Sequence, residues 1–474
     1  MNDIWQGLLH LHADVTLSIG FVLAVGVTIH ILLHKREVAS AVGWIGLVWF
    51  APILGAAFYA MFGVNRVQRR ARKIRRQISD RDGWGNGNPA DAEIEMDQLA
   101  HALGRITERP LVSGTRIQIY QNGDQAYPPM LAAIAAAKTS VGLSSYIFRD
   151  DDWGGRFVAA LIEARARGVE VRVLIDGIGG GWITSPVYHR LRRHGVKAAR
   201  FLHSILPWRM PFVNLRSHKK ILVIDGTVGF TGGMNISDSN VMATRPKEPV
   251  KDLHFRIEGS VVSQLSDAFA QDWTFATDED LDDDKWWPQI APQQGALARV
   301  IDSGPDEDLE KVEFAVLQAV ACARKSILVM TPYFLPDERM MTALSLAAMR
   351  GVAVNMVIPG KSDHVLVDWA VRANIGPILA HGVRIWRSPP PFHHSKMMVV
   401  DGEWCLIGST NWDMRSFRLN FELCMEVYDR DFASVLATLQ EESCESEWTK
   451  EELDARDLFE RIRDAAARLM LPYL

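Results

Sequence analysis

The chain has 474 residues, 48% of them hydrophobic, and a net charge of −5. That is apolar material for roughly two to four domain cores, and the acidic balance excludes the overall basic field that holds nucleic acid. Its four cysteines, Cys322, Cys405, Cys424 and Cys444, show no CxxC or zinc-ribbon spacing, which suits buried thiols in a reducing compartment.

From the N-terminus, residues 15–33 and 38–63 carry no charge. Each run exceeds or approaches the about 20 helical residues that cross a hydrocarbon core. Only His34, Lys35, Arg36 and Glu37 separate them, so residues 1–65 are expected to form a two-helix transmembrane hairpin. Residues 1–14 contain no Lys or Arg, and a second apolar run follows at once, so a retained anchor is expected rather than a cleaved signal peptide. Next come Arg66, Arg69, Arg70, Arg72, Lys73, Arg75 and Arg76. By the positive-inside rule they put the body in the cytoplasm, with the N-terminus on the same side. Lys35 and Arg36 of the loop point the other way. A juxtamembrane basic run also suits anionic headgroups. With the Gly- and Asn-rich stretch at 80–88 it makes residues 66–110 a basic segment and linker.

The rest divides near 278–294 into two halves, 111–290 and 295–474, that resemble each other. In the first, a helix at 130–138 leads to an apolar strand ending in Tyr146-Ile147-Phe148, then a helix at 155–167 and a strand at 169–175. In the second, a helix at 309–324 leads to a strand at 327–330 and Tyr333-Phe334, then a helix at 338–350 and a strand at 352–358. This alternation predicts an α/β fold of two repeats, each a mixed, mainly parallel sheet flanked by helices. Such a duplication implies a pseudo-twofold axis, with a site at the join.

Each repeat then carries H-x-K-x₄-D, at His218, Lys220 and Asp225 and at His394, Lys396 and Asp401. On a strand, His and Lys two apart share a face, which sets a nucleophile beside a fixed positive charge and points to phosphodiester transfer. By parity Asp225 and Asp401 point away and read as structural ion-pair residues. At matching offsets Gly232 precedes Asn235 and Gly408 precedes Asn411, each an amide after a small-residue turn that can donate to a phosphoryl oxygen. Asp252 and Glu422 follow at comparable points and are candidates to orient the histidines. His393 fits no motif position. A single signature is weak, but two in the same place within a repeat are not chance.

With residues 214–226 and 407–422, these motifs make the chain resemble the phospholipase D superfamily, and within it the bacterial cardiolipin synthases. The resemblance extends to the N-terminal hairpin and to an amphipathic C-terminal helix with Leu458, Ile462, Ala465 and Leu469 at helical spacing. For that helix, packing on the body and contact with a membrane are both open. The same holds for the mixed apolar, aromatic and basic stretch 201–212. The resemblance implies a phosphatidyltransferase, a cardiolipin synthase that moves a phosphatidyl group between two phosphatidylglycerols through a phosphohistidine and releases glycerol. It implies His218 as nucleophile, by family custom alone, and His394 as acid and base. Lys220, Lys396, Asn235 and Asn411 would bind the phosphate, so neither metal nor cofactor is expected. The expected partners are phospholipid substrates and a bilayer with anionic lipids, not nucleic acid; an oligomer is allowed but not required. The expected location is the bacterial cytoplasmic (inner) membrane, multi-pass, with the catalytic domain in the cytoplasm. A hydrolytic phospholipase D and an inactive membrane scaffold are the readings to be separated from this one.

Overall fold

The computed structural model describes residues 2–35, 38–63, 96–203, 215–291, 293–305 and 310–469. The basic run at 66–76, the stretch at 80–88, most of 201–212 and the last residues of the C-terminal tail lie outside them. The chain forms two compact units, an N-terminal helical unit and an α/β body.

In the first unit, α1 (Asn2–His34) has an apolar part, Val15–His34, about 30 Å long at 1.5 Å per residue, the thickness of a hydrocarbon core. The second apolar run does not form one continuous helix, so the expected two-helix hairpin is shown only in part. α2 (Val38–Phe50) stops one residue before Ala51, and α3 (Pro52–Phe58) begins on a proline and continues as the π-helical turn Tyr59–Gly63. Ala51 takes φ −136° and ψ 77°, because a following proline ring clashes with a helical residue before it. α2 alone covers only about 20 Å. It runs back along α1, with Trp49 Nε1 donating to Thr28 Oγ1 at 3.1 Å. At its far end Gly20 lies against Pro52. α3 then reverses. Gly55 is so close to α2 that a Cβ would lie 2.8 Å from Leu47 O. Tyr59 is hydrogen-bonded to His30 at 2.9 Å and packs edge-on against Trp44. The run thus reaches the level of Gly20 and returns towards His30.

The body is built on one continuous sheet. The first repeat supplies β1 (Val112–Gln121), β2 (Ser140–Ser145), β3 (Glu170–Asp176), β4 (Lys197–Phe201), β5 (Arg216–Ser217), β6 (Ile221–Ile224), β7 (Val228–Gly232), β8 (Val250–Lys251) and β9 (Leu253–Glu258). The second supplies β10 (Ala296–Ser303), β11 (Ser326–Met330), β12 (Phe334–Leu335), β13 (Ala353–Pro359), β14 (Arg384–Ser388), β15 (Phe392–His393), β16 (Met397–Val400), β17 (Trp404–Gly408), β18 (Trp412–Asp413), β19 (Asn420–Tyr428) and β20 (Ser446–Glu447).

From the centre outwards one half runs β1-β9-β7-β6-β2-β3-β4 and the other β10-β19-β17-β16-β11-β13-β14, with β20 on the outer edge. β1 and β10 meet antiparallel, Val112 opposite Ala298. The sheet is mixed: β2–β3–β4 and β11–β13–β14 are parallel, and antiparallel ladders join the strands between them and the centre. Two alike halves facing across β1 and β10 give the expected pseudo-twofold arrangement. A helix at Asp97–Thr107, inside the stretch expected to be linker, buries Leu99 and Leu103 against Val312 and Val316 of the second repeat. Each such leucine stabilises the fold by about 1.5–3 kcal/mol.

The C-terminal helix Leu458–Arg468 turns Asp464 and Ala467 inwards. Asp464 accepts from Arg456 at 2.5 Å and from Arg463 at 2.8 Å. Leu458, Phe459, Ile462 and Leu469 stay exposed, so packing on the body does not account for its apolar stripe.

Candidate active site

The sequence sets each histidine just after a two-residue strand, and that strand pairs with the opposite repeat. β5 pairs parallel with the start of β19, Ser217 beside Phe421, and β15 pairs parallel with β8, His393 beside Lys251. The backbone N–H of His218 accordingly donates to Phe421 O at 2.8 Å, and that of His394 to Lys251 O at 2.7 Å. One residue further along each partner strand stands a carboxylate. His218 Nδ1 therefore bonds Glu422 Oε2 at 3.1 Å, and His394 Nδ1 bonds Asp252 Oδ2 at 2.8 Å. The two histidine–carboxylate bonds cross the join, each repeat holding the other's histidine.

A carboxylate on Nδ1 fixes the tautomer and leaves Nε2 with its lone pair. The two rings stand nearly perpendicular, with centroids 6.3 Å apart. Lys220 Nζ donates to His218 O at 2.7 Å, and Lys396 Nζ bonds His394 O. Both histidines, both lysines, Asp252 and Glu422 are buried, so their charges act in a medium of low polarity.

Burial, then the charges of Lys220 and Lys396, holds His218 well below the usual imidazole range. Burial, then Lys396, brings His394 down to about 4, against the pull of Asp252. Burial also lowers both lysines, Lys396 to about 8. The carboxylates diverge. Burial pushes Glu422 up to about 7, against Lys220 and the donors Ser409 and Asn420. Burial also opposes the charge of Asp252, but Lys396 and the His394 bond outweigh it and keep that carboxyl below its usual range.

Asn235 and Asn411 stand after the turns that follow β7 and β17; Ile147 N donates to Asn235 Oδ1 at 3.2 Å, and Asn411 is buried. Asp225 and Asp401 lie at the far ends of β6 and β16. Their carboxylates are not ion-paired among the described residues, which corrects the expected role. Asp225 accepts from the amides of Lys138, Thr139 and Ser140, and Asp401 from those of Arg324, Lys325 and Ser326. Each begins a left-handed Asp-Gly turn, with φ 51° at Asp225 and 55° at Asp401. His393 is half-buried, and desolvation lowers it to about 4.

Two aromatic neighbours were not foreseen. The Tyr146 ring meets His218 edge-on at 5.0 Å and lies 5.3 Å from the Lys220 ammonium; Tyr333 meets His394 at 6.3 Å. The sequence carried a signal, since both follow the first core strand of their repeat. They are not equivalent, however. Phe148 bridges Ile236 and Phe334 pairs with Trp412, which matches Tyr333 to Ile147 rather than to Tyr146. Ser409 was also missed; its hydroxyl donates to Glu422 at 2.5 Å.

Residues 130–273 and 316–442 match the family model described as cardiolipin synthase, PLD-like domain. The chain belongs to the cardiolipin synthase family. Residues 22–63 also match a phospholipase D-nuclease N-terminal model. A cardiolipin synthase from Geobacillus sp. (strain WCH70) is 31% identical, covering 100% of this chain and 96% of that protein. Cardiolipin synthase A of Pseudomonas aeruginosa is 33% identical, covering 96% of this chain and 94% of that protein. Among solved structures, phosphatidylserine synthase of Haemophilus influenzae shares the fold, with a TM-score of 0.60 at 13% identity over 80% of this chain and 100% of that one. Family membership makes the chain an enzyme, a phosphatidyltransferase of the phospholipase D type, and a membrane-associated protein that acts on phospholipids.

Proposed function

We propose that the chain condenses two phosphatidylglycerols to cardiolipin and glycerol, at one site shared by its two repeats. The observation that carries this reading is the pair of crossed histidine–carboxylate bonds, with the two ring centroids 6.3 Å apart and a lysine beside each. His218 Nε2 attacks the phosphorus of the donor, and the bond from phosphorus to the glycerol oxygen breaks. His394, as imidazolium, gives that oxygen its proton. The second phosphatidylglycerol then loses its hydroxyl proton to His394 and attacks phosphorus, and the P–N bond breaks. Lys220, Lys396, Asn235 and Asn411 balance the charge on the other phosphoryl oxygens.

The role split is supported by the carboxylates. Asp252 stays anionic and so stabilises an imidazolium on His394. Glu422, pushed up to about 7, orients His218 while adding less negative charge. Burial brings His394 down to about 4, and the charge of the arriving phosphodiester is what raises its affinity for a proton.

Purified full-length chain with labelled phosphatidylglycerol in vesicles is expected to yield cardiolipin and glycerol. Phosphatidic acid as the main product would make it a hydrolase, and no turnover a scaffold. Rapid quenching should trap a phosphoenzyme in His394→Ala and not in His218→Ala; the reverse pattern exchanges the two roles.

The expected site of action is the bacterial cytoplasmic membrane, with the body on the cytoplasmic side and anionic lipid beside it. The returning course of α2 and α3 favours one crossing by α1 and a re-entrant second segment. Lys35, Arg36 and the run at 66–76 then share one side, opposite residues 1–14, which carry no Lys or Arg. No basic residue is left on the wrong side for the positive-inside rule. A cysteine introduced at Asn2 should then react with a membrane-impermeant thiol reagent from outside intact cells; protection there restores a two-span hairpin. The exposed Leu458, Phe459 and Ile462 face is a second contact with lipid in this reading.

A further inference from the structure

Two short stretches, one from each repeat, lead out of the site on the side of His394. Pro249 stands three positions before Asp252, and Pro391 three before His394. The stretches are paired, β8 parallel to β15, with Val250 opposite Phe392 and Lys251 opposite His393. At about 3.3 Å per extended residue, the prolines lie about 10 Å along the chain from the His394–Asp252 bond. An open groove of about 660 Å³ begins there. Met242, Arg245, Pro246 and Pro249 line it from the first repeat, and Pro390, Pro391 and Phe392 from the second. The first wall is held in place. Asp124 accepts from the amides of Met242 at 2.7 Å and Ala243 at 2.9 Å, and Asn240 Nδ2 donates to Val250 O at 3.1 Å. Prolines with fixed φ leave both walls little freedom to lose when the groove is filled.

Phe392 forms the inner end, its ring 5.9 Å from that of His394 and 6.0 Å from that of Tyr333. Arg245 is the one charged residue of the lining. The other flank differs: at the constant offset that superposes His218 on His394, Arg216 stands where Phe392 does. In-line displacement decides which lipid passes on the His394 side. His218 attacks phosphorus from one side, so the glycerol leaves from the other, beside His394. The acceptor oxygen then attacks from the place the glycerol vacated. Its O–P bond forms, the P–N bond breaks, and His394 takes the hydroxyl proton. Beyond its three-carbon glycerol the acceptor carries a phosphate and two acyl chains, which have to run outwards past His394.

We propose that this groove receives the acceptor phospholipid, with Arg245 on its phosphate and the proline and methionine walls against the start of its chains. This rests on the cardiolipin reading and on His218 as nucleophile. The volume falls within the about 300–1,000 Å³ of small-molecule sites, room for a headgroup and the upper part of the chains. A guanidinium fork matches phosphate oxygens in pairs. An apolar slot beside it favours a phosphatidyl alcohol over water or a small alcohol as the group that ends the reaction.

The test supplies two acceptors to the full-length enzyme in phosphatidylglycerol vesicles containing ethanol, which has neither phosphate nor chains. Arg245→Gln is expected to lower cardiolipin relative to phosphatidylethanol by about 10-fold, the loss of one charge-assisted contact. Met242→Trp narrows the groove and should lower the same ratio. Lys247→Gln removes a charge from the same loop outside the lining and should leave the ratio as in wild type. Continued formation of phosphatidylethanol shows that a variant is folded and that the first half-reaction runs. An equal fall in both products would overturn the proposal, because the groove would then serve the donor or the fold. So would an unchanged ratio, or an equal drop in Lys247→Gln, which would make the effect one of attraction to the vesicle. A phosphoenzyme trapped in His218→Ala and not in His394→Ala would move the acceptor to the other flank and overturn it as well. Wild-type enzyme that makes phosphatidylethanol and phosphatidic acid but no cardiolipin would instead sink the cardiolipin reading, and the acceptor groove with it.

Discussion

The two histidine–carboxylate pairs have one backbone design and two electrostatic settings. Each histidine amide bonds the residue before its partner carboxylate, at 2.8 Å in one pair and 2.7 Å in the other. Yet Asp252 bonds His394 and the Leu253 amide, whereas Glu422 bonds His218, Ser409 and Asn420. Gly233 occupies the place that Ser409 has in the second repeat, and a Cβ there would come within 2.4 Å of Asp252 Oδ1. Duplication supplied the geometry; divergence at a few side chains then made one carboxylate a stable anion and the other a group that titrates near neutrality. A symmetric scaffold can in this way divide attack and proton transfer between two copies of the same residue.

The sharpest way to break this comparison is to neutralise each carboxylate without changing its size. Asp252→Asn removes the anion that stabilises the protonated acid, and kcat/KM for cardiolipin formation should fall by about 10²–10⁴, the range of general acid–base catalysis. Glu422→Gln mainly disturbs orientation and should lose about 10-fold. Equal losses would mean that the settings, though different, do not divide the roles.

Stability sharpens the comparison further, because the two groups carry opposite signs. The Glu422 carboxyl titrates near 7 in the fold against 4.5 when exposed. The stability it lends is complete below about 4.5 and lost as pH rises to 7, so above 7 the fold bears a buried charge. Asp252 is shifted below 3.8, and its contribution is present above that value and lost as pH falls. At pH 8, Glu422→Gln should therefore stabilise the fold by up to about 3 kcal/mol for a shift of that size and raise Tm, while Asp252→Asn lowers it. Towards acid, burial draws His394, His254 and His393 down to about 4. Each then withdraws stability as pH falls from about 6.5 towards 4. Thermal melts of both variants from pH 5 to 8 give the signs directly, and shifts of the same sign at pH 8 would refute the contrast.

Much of this was legible because strand periodicity and duplication are written in local spacing. The helices at 155–167 and 338–350 and the strands that follow them were readable within a few residues. So were the two histidines, two lysines and two carboxylates that meet there, but not Tyr146, Tyr333 or Ser409. What spacing does not contain is pairing. Nothing near His218 in the chain says that β5 will lie on β19, so the crossing of Glu422 to His218 was not readable, although both carboxylates were. The Asp97–Thr107 helix was hidden by the polar stretch before it, despite Leu99 and Leu103 at helical spacing. The break in the second apolar run was not readable from hydropathy, which counts residues and ignores Pro52, whose effect on Ala51 is steric.

The smallest expected effect concerns the aspartates that complete the two signatures. Parity alone sent them away from the histidines, and an Asp-Gly pair between apolar strands is a turn signal in its own right. The turns are of type I′, with positive φ at Asp225 and Gly226 and at Asp401 and Gly402; Thr227 N returns to Ile224 O and Glu403 N to Val400 O. Asn tolerates the left-handed region almost as well as Asp and keeps one acceptor. Asp225→Asn and Asp401→Asn should thus lose about 1 kcal/mol each of stability and leave kcat within about twofold. Asp401→Ala loses every acceptor and adds strain, so its Tm should fall further while the kcat of folded enzyme still holds. If Asp401→Asn instead lost about 100-fold in kcat at an unchanged Tm, the aspartate would belong to the chemistry after all, and the two halves of the signature would have to be read as one catalytic unit.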